Sequence, residues 1–440
     1  GIKQSIENIA AAALEHNADC IGMSGLLVKS TVIMKENLEI LNQRGITIPV
    51  ILGGAALTRR YVEEDCRRVY GGKLFYGQDA FDDLHIMEAI ASGREDELLR
   101  GLEAEPTDQC EDDDDDFGDE QAEGENNGKN SEVSHHLPLK LRSDVERALP
   151  VCLPPFLGRK VLTDFDLDEI FSFINENSLI RGQFRVRQGD MPDAQYEAML
   201  AEKVYPALNA LKERCRKEKL LAPAAVYGYY PCLSRGNELL VYEPDPLLSP
   251  AEVIAGKRRD GSPIELKHKL SFSFPRQDFG RHLCIADFFR DEEEGGYDIL
   301  PLQVVTMGQI ASEHTARLFS AGEYTEYLYF HGLSVEAAEG LAEVVHKRVR
   351  AELGLASYDA TDRRKFFQQG YRGTRFSFGY PACPNLEDQS GLFQLLKPEE
   401  IGMELTEEFQ LVPEQSTSAV VVVHPQAKYF NVRRKAAVPR

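Results

Sequence analysis

The chain has 440 residues, of which 42% are hydrophobic and 28% charged, and its formal net charge is −22. No stretch approaches the roughly 20 continuous apolar residues that a membrane-spanning helix needs, and no secretory signal opens the chain. Nucleic acid is not expected as a partner, because contact with phosphates needs a clustered basic face. Since the first residue is not Met, we expect the sequence to be part of a longer protein.

The eight cysteines are scattered, without a CxxC pair or an even framework spacing. This pattern indicates free thiols in a reducing cytosol rather than disulfides or a zinc site. The ten histidines show no H-x-x-x-H arrangement that would suggest a metal centre. We therefore predict a cytoplasmic protein whose own side chains bind no metal in this part of the sequence.

The first hundred residues alternate short apolar strands with helices that have apolar residues at helical spacing. Such alternation predicts a parallel, Rossmann-like α/β sheet, in which ligands sit at the carboxyl ends of the strands. No dinucleotide-binding or triphosphate-binding glycine motif is present. The predicted helices cover 5–16, 31–42, 59–69 and 80–91, and the predicted strands cover 20–23, 49–52 and 74–76.

The three predicted strand ends are small and rich in glycine: Ser24-Gly25, Gly53-Gly54 and the segment 77–80. Glycine removes the side chain that would otherwise keep a bulky ligand away from the backbone. The same residues also make tight turns between a strand and the next helix. The pattern alone leaves both interpretations open.

An acidic segment follows this first part. Residues 108–132 carry 12 acidic residues and one lysine, together with Gly, Asn and Ser. Such a segment cannot bury enough apolar surface to offset its ordering entropy, and its self-repulsion keeps it extended. We therefore predict a first domain over 1–103, an acidic disordered linker over 104–137 and a second domain over 138–440. A metal-binding acidic loop is the alternative for the linker, although its spacing is unlike that of a Ca²⁺ loop.

From residue 138 onwards strands and helices no longer alternate regularly, which predicts an α+β domain with a central antiparallel sheet. The long helical segment 192–221 should be kinked at Pro206. Helix 335–353 is amphipathic, with Ser334 as a plausible N-cap and Gly354 as a stop signal. A further helix is predicted over 167–175, and strands over 226–230, 238–242, 270–274 and 418–423.

One motif in the second domain combines a fixed cation with a turn that prolines stiffen: Arg375-Phe-Ser-Phe-Gly379-Tyr380-Pro-Ala-Cys383-Pro. The planar fork of Arg375 suits a carboxylate, and Gly379 would let a ligand approach the main chain. The alternative interpretation is a surface arginine beside a structural turn. Cys383 is a weak candidate for a nucleophile, because no partner histidine is identifiable.

Three blocks of the first domain resemble the second half of the cobalamin domain of cobalamin-dependent methionine synthases: 21–27, 50–55 and 76–80. The resemblance implies a flavodoxin-like partial cobalamin domain in which Ser24 hydrogen-bonds the dimethylbenzimidazole end of B12. Gly53 and Gly54 would let the nucleotide tail lie against the backbone, and Ala80 would line its slot. Val28 stands where many members have Thr. The family's Asp-x-His-x-x-Gly motif, which supplies the lower cobalt ligand, would precede residue 1.

Residues 150–435 resemble the S-adenosylmethionine-binding activation domain of the same family, above all in Arg375-x-x-x-Gly379-Tyr380. The resemblance implies that Arg375 pairs with the carboxylate of S-adenosylmethionine. Tyr380 and the pair Tyr429-Phe430 would pack around the adenosine, although a Tyr-Phe pair taken alone is more often part of a core.

Two residues are candidates for holding the ligand's amino group. In the family an aspartate at the end of the first helix of this domain has that role. Asn175 occupies the matching position here, so an amide replaces the acid. Asp166 is the fallback.

The resemblance implies a cobalamin-dependent methyltransferase (5-methyltetrahydrofolate–homocysteine methyltransferase) of which this chain is a fragment. This portion would bind cobalamin (methylcobalamin) and S-adenosylmethionine, and a flavodoxin- or ferredoxin-type donor would supply the electron for reductive methylation of inactive cob(II)alamin. Zinc would belong to the homocysteine module, among N-terminal modules missing here. No catalytic acid or base is assigned, because the cofactors carry the chemistry. The alternative is a stand-alone, non-enzymatic S-adenosylmethionine-binding module that reactivates a separate corrinoid protein.

Overall fold

The computed structural model describes residues 4–25, 28–54, 57, 59, 61–77, 80–95, 142–147, 149–184, 186, 188, 191–407 and 409–432. The chain divides into two compact units, residues 1–116 and residues 117–440. The predicted linker 104–137 lies outside the described residues, so the boundaries at 103 and 138 stay predictions. Among the described helices, none combines the length and the apolar character that crossing a bilayer requires.

The described residues of the first unit form three parallel strands in the order β1-β2-β3, as the alternation of strands and helices predicts. Its core lies between the sheet and the helices, around Leu38, Val50 and Val62. Residues 59–69 were expected to be α-helical, but Tyr61–Cys66 forms a wide π-helical turn that keeps Val62 and Cys66 buried. The regular elements are α1 (Ile6–Glu15), β1 (Ile21–Ser24), α2 (Val28–Gln43), β2 (Val50–Gly53), β3 (Leu74–Gly77) and α3 (Ala80–Ala91).

The second unit is built on one antiparallel sheet, in agreement with the predicted α+β class. Its strand order is β7-β6-β5-β8-β12-β9, with β4 also paired to β5. A separate two-stranded sheet joins β10 to β11. The strands are β4 (Gly158–Leu162), β5 (Ala224–Arg235), β6 (Glu238–Tyr242), β7 (His268–Ser273), β8 (Asp298–Thr306), β9 (Thr374–Ser377), β10 (Glu404–Leu405), β11 (Leu411–Val412) and β12 (Ser416–Val422).

Eight helices accompany this sheet in the described part of the second unit, and each face of the sheet has its own core. Successive strand residues point to opposite faces, so Tyr227 and Tyr229 join one core whereas Val226 and Tyr230 join the other. The first core is covered chiefly by the 29-residue helix α9. The helices are α4 (Leu167–Ser172), α5 (Asp193–Met199), α6 (Tyr205–Glu218), α7 (Pro250–Ala255), α8 (Gln309–Ser320), α9 (Tyr324–Glu352), α10 (Arg363–Phe367) and α11 (Asp388–Leu396).

Two helix predictions need correction. The segment predicted as one kinked helix is divided by a π-helical turn, Leu200–Val204, which ends just before Pro206. Proline lacks an N–H and its ring displaces the carbonyl four residues earlier, so a wider turn accommodates it. Ser334 is not an N-cap, because α9 begins ten residues earlier. Its buried hydroxyl donates instead to the carbonyl oxygen of His331 at 2.8 Å.

Candidate functional site

Arg375 lies on the edge strand β9, which pairs with β12 so that Arg375 is opposite Val421. Val421 belongs to the core beneath α9, whereas the next residue of β9, Phe376, belongs to the core on the other face. Strand alternation therefore directs Arg375 towards α9. Its side chain is 19% exposed, so most of it is enclosed by protein.

Two glutamates of α9 accept hydrogen bonds from the guanidinium of Arg375. Nε donates to Oε2 of Glu343 at 3.3 Å, and Nη2 donates to Oε2 of Glu339 at 2.7 Å. These carboxylates occupy the side edge of the planar fork and raise the pKa of Arg375 against the opposing effect of its burial. None of the described residues accepts a hydrogen bond from Nη1. The end edge of the guanidinium, formed by Nη1 and Nη2, is therefore available to an external acceptor.

The predicted Gly-Tyr turn follows β9 directly. Gly379 has φ +94°, a conformation that favours glycine, and its N–H donates to the carbonyl oxygen of Cys383 at 2.8 Å. The N–H of Cys383 donates in return to the carbonyl oxygen of Tyr380, which closes the turn. Tyr380 is 55% exposed. Cys383 is buried and burial raises the pKa of its thiol, which argues against a nucleophile.

The pair Tyr429-Phe430 lies beside Phe376, one residue from Arg375 along β9. Phe430 is buried and meets Phe376 edge to face at 5.5 Å between ring centroids, so it is a core residue. Tyr429 stacks on Phe376 at 6.1 Å and is only partly buried. Burial raises the pKa of Tyr429 to about 12, with a smaller contribution from nearby Tyr380. Because Phe376 belongs to the core on the face opposite to α9, the ring of Tyr429 lies on that face of β9.

Asn175 and Asp166 lie at opposite ends of the first helical segment of the second unit. Oδ1 of Asn175 accepts hydrogen bonds from the N–H groups of Asn177 and Ser178, at 3.1 and 3.3 Å, and so begins a π-helical turn. Asp166 is the N-cap of α4. The C-terminal end of α4 packs so closely on α9 that a Cβ on Gly340 would lie 2.7 Å from the carbonyl oxygen of Ile170.

In the first unit, the ends of the three strands are adjacent. Ser24 is opposite Gly53, and Gly53 is opposite Gly77, so the three residues form one edge of the sheet. Gly54 has φ +117°, and a Cβ there would lie 2.2 Å from the carbonyl oxygen of Gly25. This close approach of two backbones accounts for glycine at position 54 without any ligand.

The other two residues predicted at this edge begin helices. Val28 is the first residue of α2 and Ala80 the first of α3. Their side chains lie outside the described part of the chain. The cobalamin contacts predicted for all five residues therefore stay predictions.

Sequence reasoning missed four residues of the second unit that surround or support Arg375. They share one stripe of α9, at spacings of four, three and four residues, and this spacing is the signal that could have revealed them. No cluster of potential metal ligands occurs among the residues that the structure describes. The four missed residues are Glu339, Glu343, His346 and Arg350.

Comparison with known proteins agrees with this architecture. A methionine synthase of Mycobacterium tuberculosis (strain ATCC 25618 / H37Rv) is 40% identical over 447 residues, which cover 98% of this chain and 36% of the relative. A methionine synthase of Mycobacterium leprae (strain TN) is 41% identical over 465 residues, with the same two coverages. The chain thus spans only about a third of the length of these relatives (36%).

A crystal structure described as the MetH reactivation domain bound to AdoHcy superimposes with a TM-score of 0.53 at 22% identity. The superposition covers 65% of this chain and 84% of the reactivation-domain chain, and this similarity shows that the two share a fold. Residues 166–437 match the family described as vitamin B12 dependent methionine synthase, activation domain. This match confirms the resemblance found in the sequence, and the chain belongs to that family.

Proposed function

We propose that this chain is the C-terminal part of a cobalamin-dependent methionine synthase and that its second unit binds S-adenosylmethionine for the reductive reactivation of cobalamin. The observation that carries the proposal is the available end edge of Arg375, on the strand that leads into a Gly-Tyr turn with an exposed tyrosine. A guanidinium edge of this kind binds a carboxylate in two parallel hydrogen bonds. The match to the activation-domain family supports the same assignment.

The charge around Arg375 also suits this ligand. S-adenosylmethionine carries a sulfonium, an ammonium and a carboxylate, so it is a cation with one anionic end. Glu339 and Glu343 together carry one more unit of charge than Arg375 neutralises. A ligand that offers its carboxylate to Arg375 and its positive groups to the surrounding protein would meet complementary charge. Asn175 or Asp166 would hold the amino group, as the resemblance implies.

Tyr380 and Tyr429 would border the adenosine. Tyr380 offers an exposed ring, and Tyr429 is held by its stacking on Phe376. Gly379 adopts the positive φ of +94° that this turn requires. The chain's task in this proposal is to hold the ligand in a fixed orientation and to exclude water, which is a large part of catalysis when the reacting group is already activated.

For the first unit, we propose that the edge formed by Ser24, Gly53 and Gly77 borders the nucleotide tail of B12, within a flavodoxin-like cobalamin domain. These three residues carry no side chain larger than that of serine, which suits a ligand that lies against backbone, and the carboxylate of Asp83 lies against Gly77. When bound, cobalamin supplies the cobalt through which the methyl group passes. The flavodoxin- or ferredoxin-type electron donor, the zinc of the homocysteine module and the cytoplasmic location belong to the same proposal.

The stand-alone module is the second candidate, and the comparisons favour the larger enzyme. Alignment with the two mycobacterial relatives covers 98% of this chain, so sequences similar to both units occur together in one longer protein. A module that served a separate corrinoid protein would not need the first unit.

Calorimetric titration of S-adenosylmethionine into the full 440-residue chain tests the proposal, with Arg375→Ala as the variant. Arg372→Ala is the matched control, because Arg372 lies three residues upstream and donates to the carbonyl oxygen of Val423. We expect saturable binding that Arg375→Ala weakens by about a hundredfold, as the loss of a charge-assisted bidentate pair predicts. Equal affinities for the Arg375 variant and the wild type would refute the assignment of the carboxylate to Arg375.

A further inference from the structure

A stripe of ionisable residues runs along one side of α9. Glu339, Glu343, His346 and Arg350 follow one another at spacings of four, three and four residues and therefore share one face of the helix. Three of them are buried: Glu343 is 7% exposed, and His346 and Arg350 are fully buried. Since charge is costly to bury, each of these groups needs partners inside the protein.

Glu343 is the common partner. Its Oε2 accepts from Nε of Arg375, and its Oε1 lies 3.4 Å from Nη1 of Arg350 and 3.3 Å from Nδ1 of His346. Arg350 is itself bound by Asp359, because its Nε and Nη2 donate hydrogen bonds to the two carboxylate oxygens of Asp359 at 2.8 and 2.9 Å. One buried carboxylate thus connects the arginine of the edge strand to an arginine that the fold holds rigidly.

The surroundings keep Glu343 ionised. Burial raises the pKa of this carboxyl, but His346, Arg375 and Arg350 outweigh burial and lower it to about 2. Burial lowers the pKa of His346, against the opposing effect of Glu343. The imidazole ring of His346 packs edge to face against the ring of Tyr371, with 5.2 Å between the ring centroids. The negative charges that pair with Arg375 are the carboxylates of Glu343 and Glu339.

These two carboxylates differ in what they can do. The side chain of Glu339 is 38% exposed, whereas that of Glu343 is 9% exposed and surrounded by Arg350, His346 and Arg375. Glu343 is too enclosed to contact a ligand itself. We propose that Glu343 is a positioning residue, which holds the side edge of Arg375 so that the end edge points at the ligand carboxylate. This inference rests on the proposed function of Arg375.

The test compares S-adenosylmethionine with its decarboxylated analogue, which keeps the sulfonium and the ammonium but lacks the carboxylate. The ratio of the two dissociation constants, measured by calorimetry on the full chain, isolates the contribution of the carboxylate. In Glu343→Gln we expect this preference to fall about tenfold, because one charge-assisted hydrogen bond to the guanidinium is lost. The affinity for the decarboxylated analogue should change less than about twofold.

Two further variants control for structural damage. Glu352→Gln makes the same substitution on the same helix, where the carboxylate accepts from the hydroxyls of Tyr227 and Tyr229 at 2.8 and 2.9 Å. It should lower the melting temperature and leave the carboxylate preference unchanged. Glu343→Asp keeps the charge but withdraws the oxygens by one methylene, and should lose part of the preference. If Glu343→Gln does not fold, the Asp variant decides the matter.

The possible outcomes separate this inference from the proposed function. A wild-type preference that survives in the Glu343 variants, or increases, would overturn the positioning role and leave the role of Arg375 intact. Equal weakening of both ligands would also overturn it, because that pattern indicates general damage. A wild type without any carboxylate preference, or one that Arg375→Ala retains, would overturn the function proposed for Arg375 and the positioning role with it.

Discussion

Arg350 joins helix α9 to the segment between α9 and α10 through a buried ion pair with Asp359. Its replacement by Met tests how strongly this pair supports the second unit. Its side chain is fully buried, it forms two hydrogen bonds with Asp359, and its guanidinium lies 4.1 Å from the ring centroid of Tyr371. Methionine can fill much of the same volume but leaves Asp359 and Glu343 without this cation. Removal of one member of a buried pair typically costs about 3 to 5 kcal/mol.

The corresponding change in melting temperature follows from the entropy of unfolding. A unit of roughly 300 residues unfolds with about 0.6 kcal/mol/K, so a loss of about 4 kcal/mol lowers the melting temperature by about 6 °C. Differential scanning calorimetry of the full chain measures this shift. Arg348→Met is the matched control on the same helix. Its side chain is 50% exposed and pairs with Glu352 at 3.3 Å, so its loss should cost less than about 1 kcal/mol.

A double variant sharpens the test. Arg350→Met combined with Asp359→Leu leaves no unpaired charge at the position of the pair, so it should recover part of the stability that Arg350→Met loses. If Arg350→Met and Arg348→Met melt within about 1 °C of each other, the buried pair does not contribute as this reasoning requires.

Two other predictions concern the first unit and the start of α11. Gly54→Ala should destabilise the first unit by about 2 kcal/mol or more, because the added Cβ would clash with Gly25 and the φ is positive. The loss of stability should appear as faster amide hydrogen exchange in β1 and β2. Gly22→Ala is the control and should have little effect, because nothing lies within 4 Å of its added Cβ. Burial raises the pKa of Asp388 to about 6, and its Oδ2 has no hydrogen-bond partner in the described structure. Because the pKa of Asp388 is higher in the folded than in the unfolded chain, the stability that its protonated form contributes is fully present below the unfolded pKa. This contribution is lost as the pH rises through about 6. Asp388→Asn should therefore raise the melting temperature more at pH 8 than at pH 5, and an equal shift at both would contradict this.

The sequence predicted regular elements best where a local signal marks them. Gly354 was expected to stop a helix, and it adopts a positive φ just after α9. The alternation of strands and helices predicted the parallel pairing of β1, β2 and β3. Strand β8 was missed although it is central, because Pro301 within it argues against a central strand. Its pairing with β5 and β12 on either side outweighs that local signal.

The start of α9 shows the same conflict between local and tertiary preference. Gly332 and the aromatic residues near it are poor helix formers, so the prediction began the helix only at residue 335. In the folded chain Gly332 lies against the turn Ser178–Gln183, where a Cβ would be 2.7 Å from that of Gln183. Close packing therefore extends the helix through a segment whose own propensity is low.

The candidate site also combines a motif that is local in the sequence with partners that only the fold supplies. Arg375, Gly379 and Tyr380 are adjacent in the chain and form a recognisable motif, and the glycine conformation of the turn is a local property that the sequence determines by itself. The partners of Arg375 are not local. Glu339 and Glu343 lie 36 and 32 residues upstream on another element, and only the packing of α9 on the sheet brings them to the guanidinium. Their distance from Arg375 depends on strand register and on helix packing, which short-range residue patterns do not contain.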